Sequence, residues 1–290
     1  MSNFFDLDSG SGQRLLWLDS TGYTANLLEA GKPPWLDVAN FLAWQRKAQG
    51  LVRSDVISLP AEPVVAALIA KHSQLSSAMA AKPRVLFPLK TLLADALVRE
   101  HLTEMLTGLR ACFLGMPLAL IIPSPRRWIA LSHVQAFGVG CEAGADEFDS
   151  ASMYVADFLR VFSEAGLDAL LLDEAGDTEP MSSNEIEWYR PVLNVAMHYR
   201  WTLGLRLPRA DVDPGMVDGV GFFIAPRGLA ARTGISTPPS FWADSSAPPC
   251  LPGQFRHVEI PVDAHPERVL DRLAFLHQSG DQIRQGGELR

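Results

Sequence analysis

The feature that most constrains this chain is a run of four apolar residues that ends directly in two carboxylates. Ala169–Leu172 is apolar enough for a strand buried on both faces, and Asp173 and Glu174 follow it at once. In barrels of parallel strands, side chains at the carboxyl ends of the strands leave the packed interior and line an active-site mouth. The sequence therefore predicts a parallel α/β fold with a functional site at the end of this strand.

Short apolar runs alternate with longer segments of helical period, which is typical of strands joined by crossover helices. Eight strands are predicted, at residues 14–19, 55–59, 84–89, 118–123, 169–173, 202–207, 221–225 and 257–262. The chain has 290 residues, which suits one (β/α)8 TIM barrel of roughly 250 residues. We therefore expect a single α/β domain over residues 1–290.

One segment departs from this rhythm. Residues 233–254 are rich in Ser, Pro and Gly around Phe241 and Trp242, and they are too many for an ordinary connection. The segment is either a lid over the barrel mouth, with Trp242 as a substrate contact, or a surface loop. The polar tail 280–290 is expected to be flexible.

Composition excludes several classes of partner. A net charge of −8 disfavours nucleic acid, which requires clustered basic side chains. No apolar run approaches the roughly 20 residues that cross a bilayer, and the amino terminus lacks the features of a signal peptide. The three cysteines, Cys112, Cys141 and Cys250, are far apart and odd in number, which favours a reducing compartment. We expect a cytoplasmic protein without nucleic-acid or membrane partners.

Four segments carry a family resemblance: 17–23 (WLDSTGY), 117–133, 164–176 (EAGLDALLLDEAG) and 258–267. They are similar to the R-Q-A-G-R-Y motif, the fourth strand with its P-W-T-L-A-x-Y segment, the fifth-strand E-A-G pattern and the Q-G-N-L-D-P region of the uroporphyrinogen decarboxylase family. Cobalamin-independent methionine synthase and the corrinoid-linked methyltransferases share this superfamily, and Asp173-Glu174 is equally similar to the D-E-P turn of methionine synthase. The resemblance implies a barrel that forms a homodimer.

The positions at which the chain departs from the family pattern exclude some of the family's functions. Asp19 and Tyr23 fall where the family holds the substrate's acidic side chains with arginines, and a carboxylate would repel them. His133 falls on the family's active-site Tyr, and Glu174 on its fifth-strand Ser. The chain is therefore not expected to be a true porphyrinogen decarboxylase. Residues 203–208 contain neither His nor Cys, so the zinc site of the methyltransferases is not expected either.

What remains is a set of polar residues that would share one rim: Asp19, His133, Asp173, Glu174 and Arg206. A histidine beside two carboxylates can move protons near neutral pH. We expect His133 as proton donor and Asp173 or Glu174 as base or as stabiliser of positive charge.

Arginines at two places could bind a substrate carboxylate. Arg126 and Arg127 follow the predicted fourth strand, and either these two or Arg206 could provide a bidentate anchor. The predicted function is a lyase that decarboxylates a small or medium carboxylated substrate without metal or cofactor. A methyltransferase with a corrinoid or folate partner, or a barrel without catalysis, is the alternative.

Each of these residues also has a purely structural interpretation. Asp173 could be an internal ion-pair partner of Arg206, His133 could be a buried helix histidine bonded to a backbone carbonyl, and Arg126-Arg127 could be a surface pair at the start of a helix. A divalent metal held by Asp19, Asp173, Glu174 and His133 is a further alternative.

Overall fold

The computed structural model describes residues 14–174, 183–207, 218–228, 232–243 and 246–281. Within them, eight strands form one sheet whose ladders are all parallel. The strands are β1 Leu16–Asp19, β2 Ile57–Pro60, β3 Leu118–Pro123, β4 Ala169–Asp173, β5 Thr202–Arg206, β6 Phe222–Ala225, β7 Thr233–Ser236 and β8 Phe255–Glu259. Their order in the sheet is β1-β8-β7-β6-β5-β4-β3-β2. The predicted α/β architecture with eight parallel strands is confirmed.

The predicted closure of the sheet into a barrel is not observed among the described residues. Strands β1 and β2 are the two edges of the sheet, and no ladder joins them in the part of the chain that is described, so the sheet is a curled half-barrel. The N–H of Asp55 donates to the Leu16 carbonyl (2.9 Å), and the N–H groups of Leu16 and Leu18 donate to Asp55 Oδ2 (2.7 Å) and Ser54 Oγ (3.0 Å). Polar side chains before β2 thus occupy ladder positions beside β1, which explains why pairing does not close the tube.

Helices follow the strands along most of the sheet. They are α1 Thr21–Leu28, α2 Val38–Val52, α3 Ala61–Lys71, α4 Ser73–Met79, α5 Phe87–Ala94, α6 Ala96–Cys112, α7 Pro125–Phe137, α8 Ala145–Leu159, the short α9 Ser183–Ile186, α10 Arg190–Tyr199 and α11 Pro266–Asp281. Single 3-10 turns lie at Arg160–Phe162, Glu187–Tyr189 and Pro239–Ala243. The end of the predicted tail, residues 282–290, lies outside the described residues.

One of the eight predicted strands is wrong, and one observed strand was not predicted. Residues 84–89 form no strand but lead into α5, which begins at Phe87 with Pro88 in its first turn. The apolar run there is short enough to suit either a strand or a helix. The strand that was not predicted is β7, which begins the segment that was expected to be a lid or a loop. The strands predicted as fourth to seventh are therefore β3 to β6.

The two faces of the sheet contribute to different cores. Leu120, Leu170 and Leu172 belong to the large core that packs the outer face against the helices. The alternate residues Ala119, Ala169 and Leu171 join Leu15, Trp17, Val56, Phe222, Ile224 and Phe255 inside the curl of the sheet. Because neighbouring residues of a strand point to opposite faces, this alternation decides which polar side chains can reach the mouth.

Candidate functional site

Aromatic rings fill the interior just below the mouth. Trp17, Phe222 and Phe255 pack against one another with ring centroids 5.9 to 6.4 Å apart. Gly204 and Gly234 provide the room, because a Cβ built on either would lie 2.2 Å from Phe222 or 2.5 Å from Phe255. The interior is thus a packed core, and ligand access is confined to the layer above these rings.

Asp173 lies in that layer. It ends β4 two residues after Leu171, whose side chain belongs to the inner core, so the same face of the strand turns inward. Arg206 ends β5 and pairs with Asp173 in the sheet register. Nη1 of Arg206 lies 3.8 Å from Asp173 Oδ2, so the ion pair expected as one interpretation is present.

A chain of alternating charges crosses the mouth. Nη2 of Arg127 lies 2.7 Å from Glu62, and its Nη1 lies 3.5 Å from Asp173 Oδ2. On the other side of Asp173, Nη2 of Arg206 lies 3.2 Å from Glu259 Oε2. Since β6 and β7 separate β5 from β8 in the sheet, the Arg206–Glu259 pair reaches over the concave opening. Two guanidinium groups therefore flank one carboxylate within the mouth.

The position of Arg127 follows from the start of α7. Ser124 ends the turn after β3, and its Oγ accepts the N–H of Arg127 at 3.2 Å, which caps the helix with Pro125 in its first position. The Arg127 side chain is only 18% exposed, so it is not the surface residue of the alternative interpretation. Its Nη1 is buried and donates no hydrogen bond among the described residues.

Glu174 lies on the opposite face of the strand. It is 1% exposed and follows the outward alternation of Leu170 and Leu172. The Tyr189 hydroxyl donates to its Oε1 at 2.6 Å, and Arg126 Nη2 lies 3.3 Å from its Oε2. Glu174 and Arg126 thus form a buried cluster with Tyr189 between the sheet and the helices, and they do not share the mouth with Asp173.

His133 is also separated from Asp173 by its contacts. Its Nδ1 lies 2.9 Å from the Val139 carbonyl and its ring lies 4.7 Å from that of Phe137, both at the end of α7. A helix rises about 1.5 Å per residue, so His133 sits roughly 12 Å along α7 from its first residue at the mouth. The carbonyl contact of the structural interpretation is confirmed, but His133 is half-buried and not buried as that interpretation expected.

Asp19 and Tyr23 also lie in different places, one at the rim of the mouth and the other in the packing behind it. Asp19 ends β1 beside Glu259 in register, and its Oδ1 accepts the N–H of Thr21 at 3.2 Å. Tyr23 is buried in an outer cluster with Leu18, Val258 and Trp242, and this burial raises its pKa. Asp19 therefore belongs to the rim, whereas Tyr23 belongs to the packing behind it.

Trp242 is buried and not an exposed lid residue. It stands in the turn Pro239–Ala243, and its Nε1 donates to the Glu259 carbonyl at 3.1 Å. Phe241 beside it is fully buried and packs 5.2 Å below the Arg272 guanidinium. Neither a lid nor a surface loop describes this aromatic pair, because it anchors the chain after β7 to β8 and α11. Residues 244–245 of the expected lid are outside the described ranges.

Three rim residues were missed by the sequence reasoning: Glu62, His257 and Glu259. His257 and Glu259 alternate with Phe255 along β8, so the same period that assigned the other strands would have turned both inward. Glu62 lies in the first turn of α3, and only its long-range pair with Arg127 marks it. His257 is 3% exposed, and burial, followed by the nearby Arg206, lowers its pKa to about 3.

No group of three or more His, Cys, Asp or Glu side chains suited to a metal ion occurs within the described ranges. The residues named as an alternative metal-binding set are divided, since Glu174 and His133 lie apart from Asp173. A hollow of about 410 Å³ runs along α11 between His265 and Phe275, but it contains none of the rim residues. The rim is therefore the candidate site, and its chemistry is that of carboxylates, guanidinium groups and one imidazole.

No protein-family model matches this chain, and no curated protein is significantly similar to it in sequence. The resemblance to uroporphyrinogen decarboxylases thus depends on the quoted motifs alone. Over the part of the chain that the structure describes, none of the helices combines the length and the apolar character that spanning a bilayer requires.

Proposed function

We propose that the mouth of the half-barrel binds a small carboxylated substrate, and that the protein is a lyase of the uroporphyrinogen decarboxylase-like type. The observation that carries the proposal is the position of Arg127 and Arg206 on either side of Asp173. Two planar guanidinium groups in one partly buried opening are suited to a carboxylate, which each can bind through two parallel hydrogen bonds.

The partner of Arg206 is easily replaced. Glu259 is 66% exposed, and an ion pair with an exposed carboxylate contributes only about 0–1 kcal/mol. A substrate carboxylate can therefore take the place of Glu259 on Arg206 at little cost. This exchange would hold the substrate above the aromatic layer and next to Asp173.

Asp173 is the acid/base group of this proposal. It is 14% exposed, and it lies within 4 Å of both guanidinium groups. In a decarboxylation, the C–C bond breaks, carbon dioxide leaves, and a proton replaces it on the substrate carbon. In this proposal Asp173 takes that proton from solvent and passes it to the carbon, or it stabilises positive charge beside the carbon. The proton-donor role expected for His133 is not part of this proposal, because its contacts lie at the far end of α7.

A barrel without catalysis is the second candidate. It is favoured by the internal pairing of the rim, since Glu62, Asp173 and Glu259 already provide carboxylates for both arginines. The corrinoid- or folate-linked methyltransferase has no comparable contact in its favour among the described residues. The homodimer and the cytoplasmic location stay predictions.

Binding and turnover separate these candidates. The protein would be screened by saturation-transfer NMR and by carbon dioxide release against mono-, di- and tricarboxylates. We expect at least one to bind, with affinity about tenfold lower in Arg206→Gln, because a charge-assisted hydrogen bond is lost. The matched control is Arg160→Gln, since Arg160 is exposed and its one ion pair among the described residues is with Asp157.

Asp173→Asn decides between catalysis and binding alone. A lyase should lose carbon dioxide release in this variant while it still binds the carboxylate. Unchanged turnover in Asp173→Asn would refute the role of Asp173, and equal affinity in Arg206→Gln and Arg160→Gln would refute the carboxylate site itself.

A further inference from the structure

We infer that His257 is the residue at the floor of the mouth that contacts the bound molecule and selects carboxylates carrying a hydroxyl or carbonyl oxygen. This inference depends on the proposed carboxylate site and adds to it the class of substrate. It concerns a residue for which neither the sequence pattern nor the proposed mechanism provides a role.

The position of His257 is fixed by the strands on both sides. It pairs in register with Trp17 of β1 and with Ser236 of β7, and its carbonyl accepts the N–H of Thr237 at 2.9 Å. The ring meets the edge of Trp17 with centroids 6.1 Å apart. Since Phe255 is in the aromatic layer and Glu259 is at the rim, the alternation of β8 places His257 between the two.

The imidazole is buried, and the described residues provide it with no hydrogen-bond partner. It is 3% exposed, and no described residue forms a hydrogen bond with either ring nitrogen. Buried polar groups are normally hydrogen-bonded, and those that are not are often found at functional sites. A neutral imidazole presents one donor and one acceptor, so it can pair with a hydroxyl or with a carbonyl oxygen.

The charges around His257 restrict what it can bind. The charge that acts on the ring is that of Arg206 from β5, while Glu259 follows two residues later on the same face of β8, in register with Asp19 of β1. Burial and the Arg206 charge keep the ring neutral, since they lower its pKa to about 3. A ligand whose carboxylate binds Arg206 would place its neighbouring carbon atoms above this neutral ring. A hydroxyl or carbonyl oxygen on those carbon atoms would form a hydrogen bond with the ring, whereas an unsubstituted carboxylate has no group that can do so.

Malate and succinate are suitable probes because they differ by a single hydroxyl. In the wild-type protein we expect malate to bind about tenfold more tightly than succinate, which is the effect of one hydrogen bond of about 1.4 kcal/mol. In His257→Phe the preference should disappear, and in His257→Gln, which keeps a donor and an acceptor, it should be partly retained. Both affinities should fall in Arg206→Gln.

Ring resonances provide a readout that does not require a variant to fold. With ¹⁵N-labelled histidine, addition of malate should shift the His257 ring signals and leave those of His133, which is bound to the Val139 carbonyl, unchanged. If malate and succinate bind equally, with a dependence on Arg206 and no shift at His257, the inference about His257 is wrong and the carboxylate site stands. If neither malate nor succinate binds at tens of millimolar, the inference about His257 is overturned, whereas the carboxylate site is overturned only if no carboxylate of the wider screen binds.

Discussion

The hydroxyl of Tyr189 donates a 2.6 Å hydrogen bond to Oε1 of Glu174, and this pair lies between the sheet and the helices. Burial, followed by the charge of Glu174, raises the pKa of Tyr189 well above its ordinary value, so the hydroxyl stays a donor in neutral solution. The nearby hydroxyl of Ser124, the cap of α7, acts in the opposite direction on this pKa and does not outweigh burial and Glu174. Glu174 therefore connects β4 to the helix layer, while its neighbour Asp173 faces the mouth.

Replacement of Tyr189 by Phe should destabilise the fold. The variant leaves the buried Glu174 carboxylate with one donor fewer, and a buried group that loses its partner costs about 1–3 kcal/mol. Urea denaturation at pH 7 would measure this free energy of unfolding. The control is Tyr199→Phe, whose ring packs on His198 and Trp201 and whose change should stay within about 0.5 kcal/mol. Equal losses in the two variants would show that the Tyr189–Glu174 bond contributes nothing.

A methyl group at Gly204 should disrupt the inner core. The added Cβ would lie 2.2 Å from Cζ of Phe222, and overpacking of this kind costs about 1–3 kcal/mol. Gly50→Ala is the matched control, because no atom lies within 4 Å of its Cβ position and alanine favours the α2 helix by about 0.5–1 kcal/mol. Thermal unfolding should therefore move in opposite directions for the two variants. The shorter side chain of Phe222→Leu should recover part of the loss when it is combined with Gly204→Ala.

The strands that the sequence predicts best are those buried on both faces. The predicted ranges for β3 and β4 agree with the structure at both ends, Leu118–Pro123 and Ala169–Asp173. Their residues are apolar on the inner and the outer side, because rings fill the interior and helices cover the exterior. Continuous apolar character then identifies the strand and its limits together.

Strand β7 could not be found in this way. Its four residues are Thr-Gly-Ile-Ser, and composition alone assigns them to a loop. The structure shows why Gly234 is there, since its Cβ would lie 2.5 Å from the Phe255 ring of the next strand. A glycine that makes room for a distant ring looks like a turn residue in the sequence, because the ring lies 21 positions later.

Only part of the site was predicted, because some of its contacts follow from the local sequence and others join distant segments. The carboxyl end of β4 and the pairing of Asp173 with Arg206 follow from local pattern and from the neighbour order of parallel strands. The grouping of Glu174 with Asp173 ignored the alternation of side chains, which places adjacent residues on opposite faces. The partners Glu62 and Glu259 come from distant segments, and only the curl of the sheet brings them to the same opening.

Ser54 should contribute measurably to the edge between β1 and β2. Its buried Oγ accepts the N–H of Leu18 at 3.0 Å and donates to the Val56 carbonyl at 2.8 Å. Ser54→Ala leaves both backbone groups unsatisfied, so we expect a loss of about 1–3 kcal/mol and faster hydrogen exchange at the Leu18 amide. Ser163→Ala, at the end of the 3-10 turn after α8, is the control. An unchanged exchange rate at Leu18 would mean that the serine does not hold this edge.

His257 should make the stability of the protein depend on pH in a defined direction. Its pKa is about 3 in the folded protein against 6.5 for an unperturbed histidine, so between these values the unfolded chain binds a proton that the folded protein does not. The stabilisation from the neutral ring is therefore present above pH 6.5 and is lost as the pH falls towards 3, by at most about 1.4 kcal/mol per pH unit.

Urea denaturation of the wild type and of His257→Gln at pH 7, 6, 5 and 4.5 would measure this dependence. The other titrating groups are common to both proteins, so the difference between their slopes isolates His257. We expect the free energy of unfolding of the wild type to fall more steeply on acidification, by about 1 kcal/mol per pH unit relative to the variant. Parallel curves would mean that the ring is protonated as easily in the folded protein as in the unfolded chain, and a buried neutral imidazole would then be excluded.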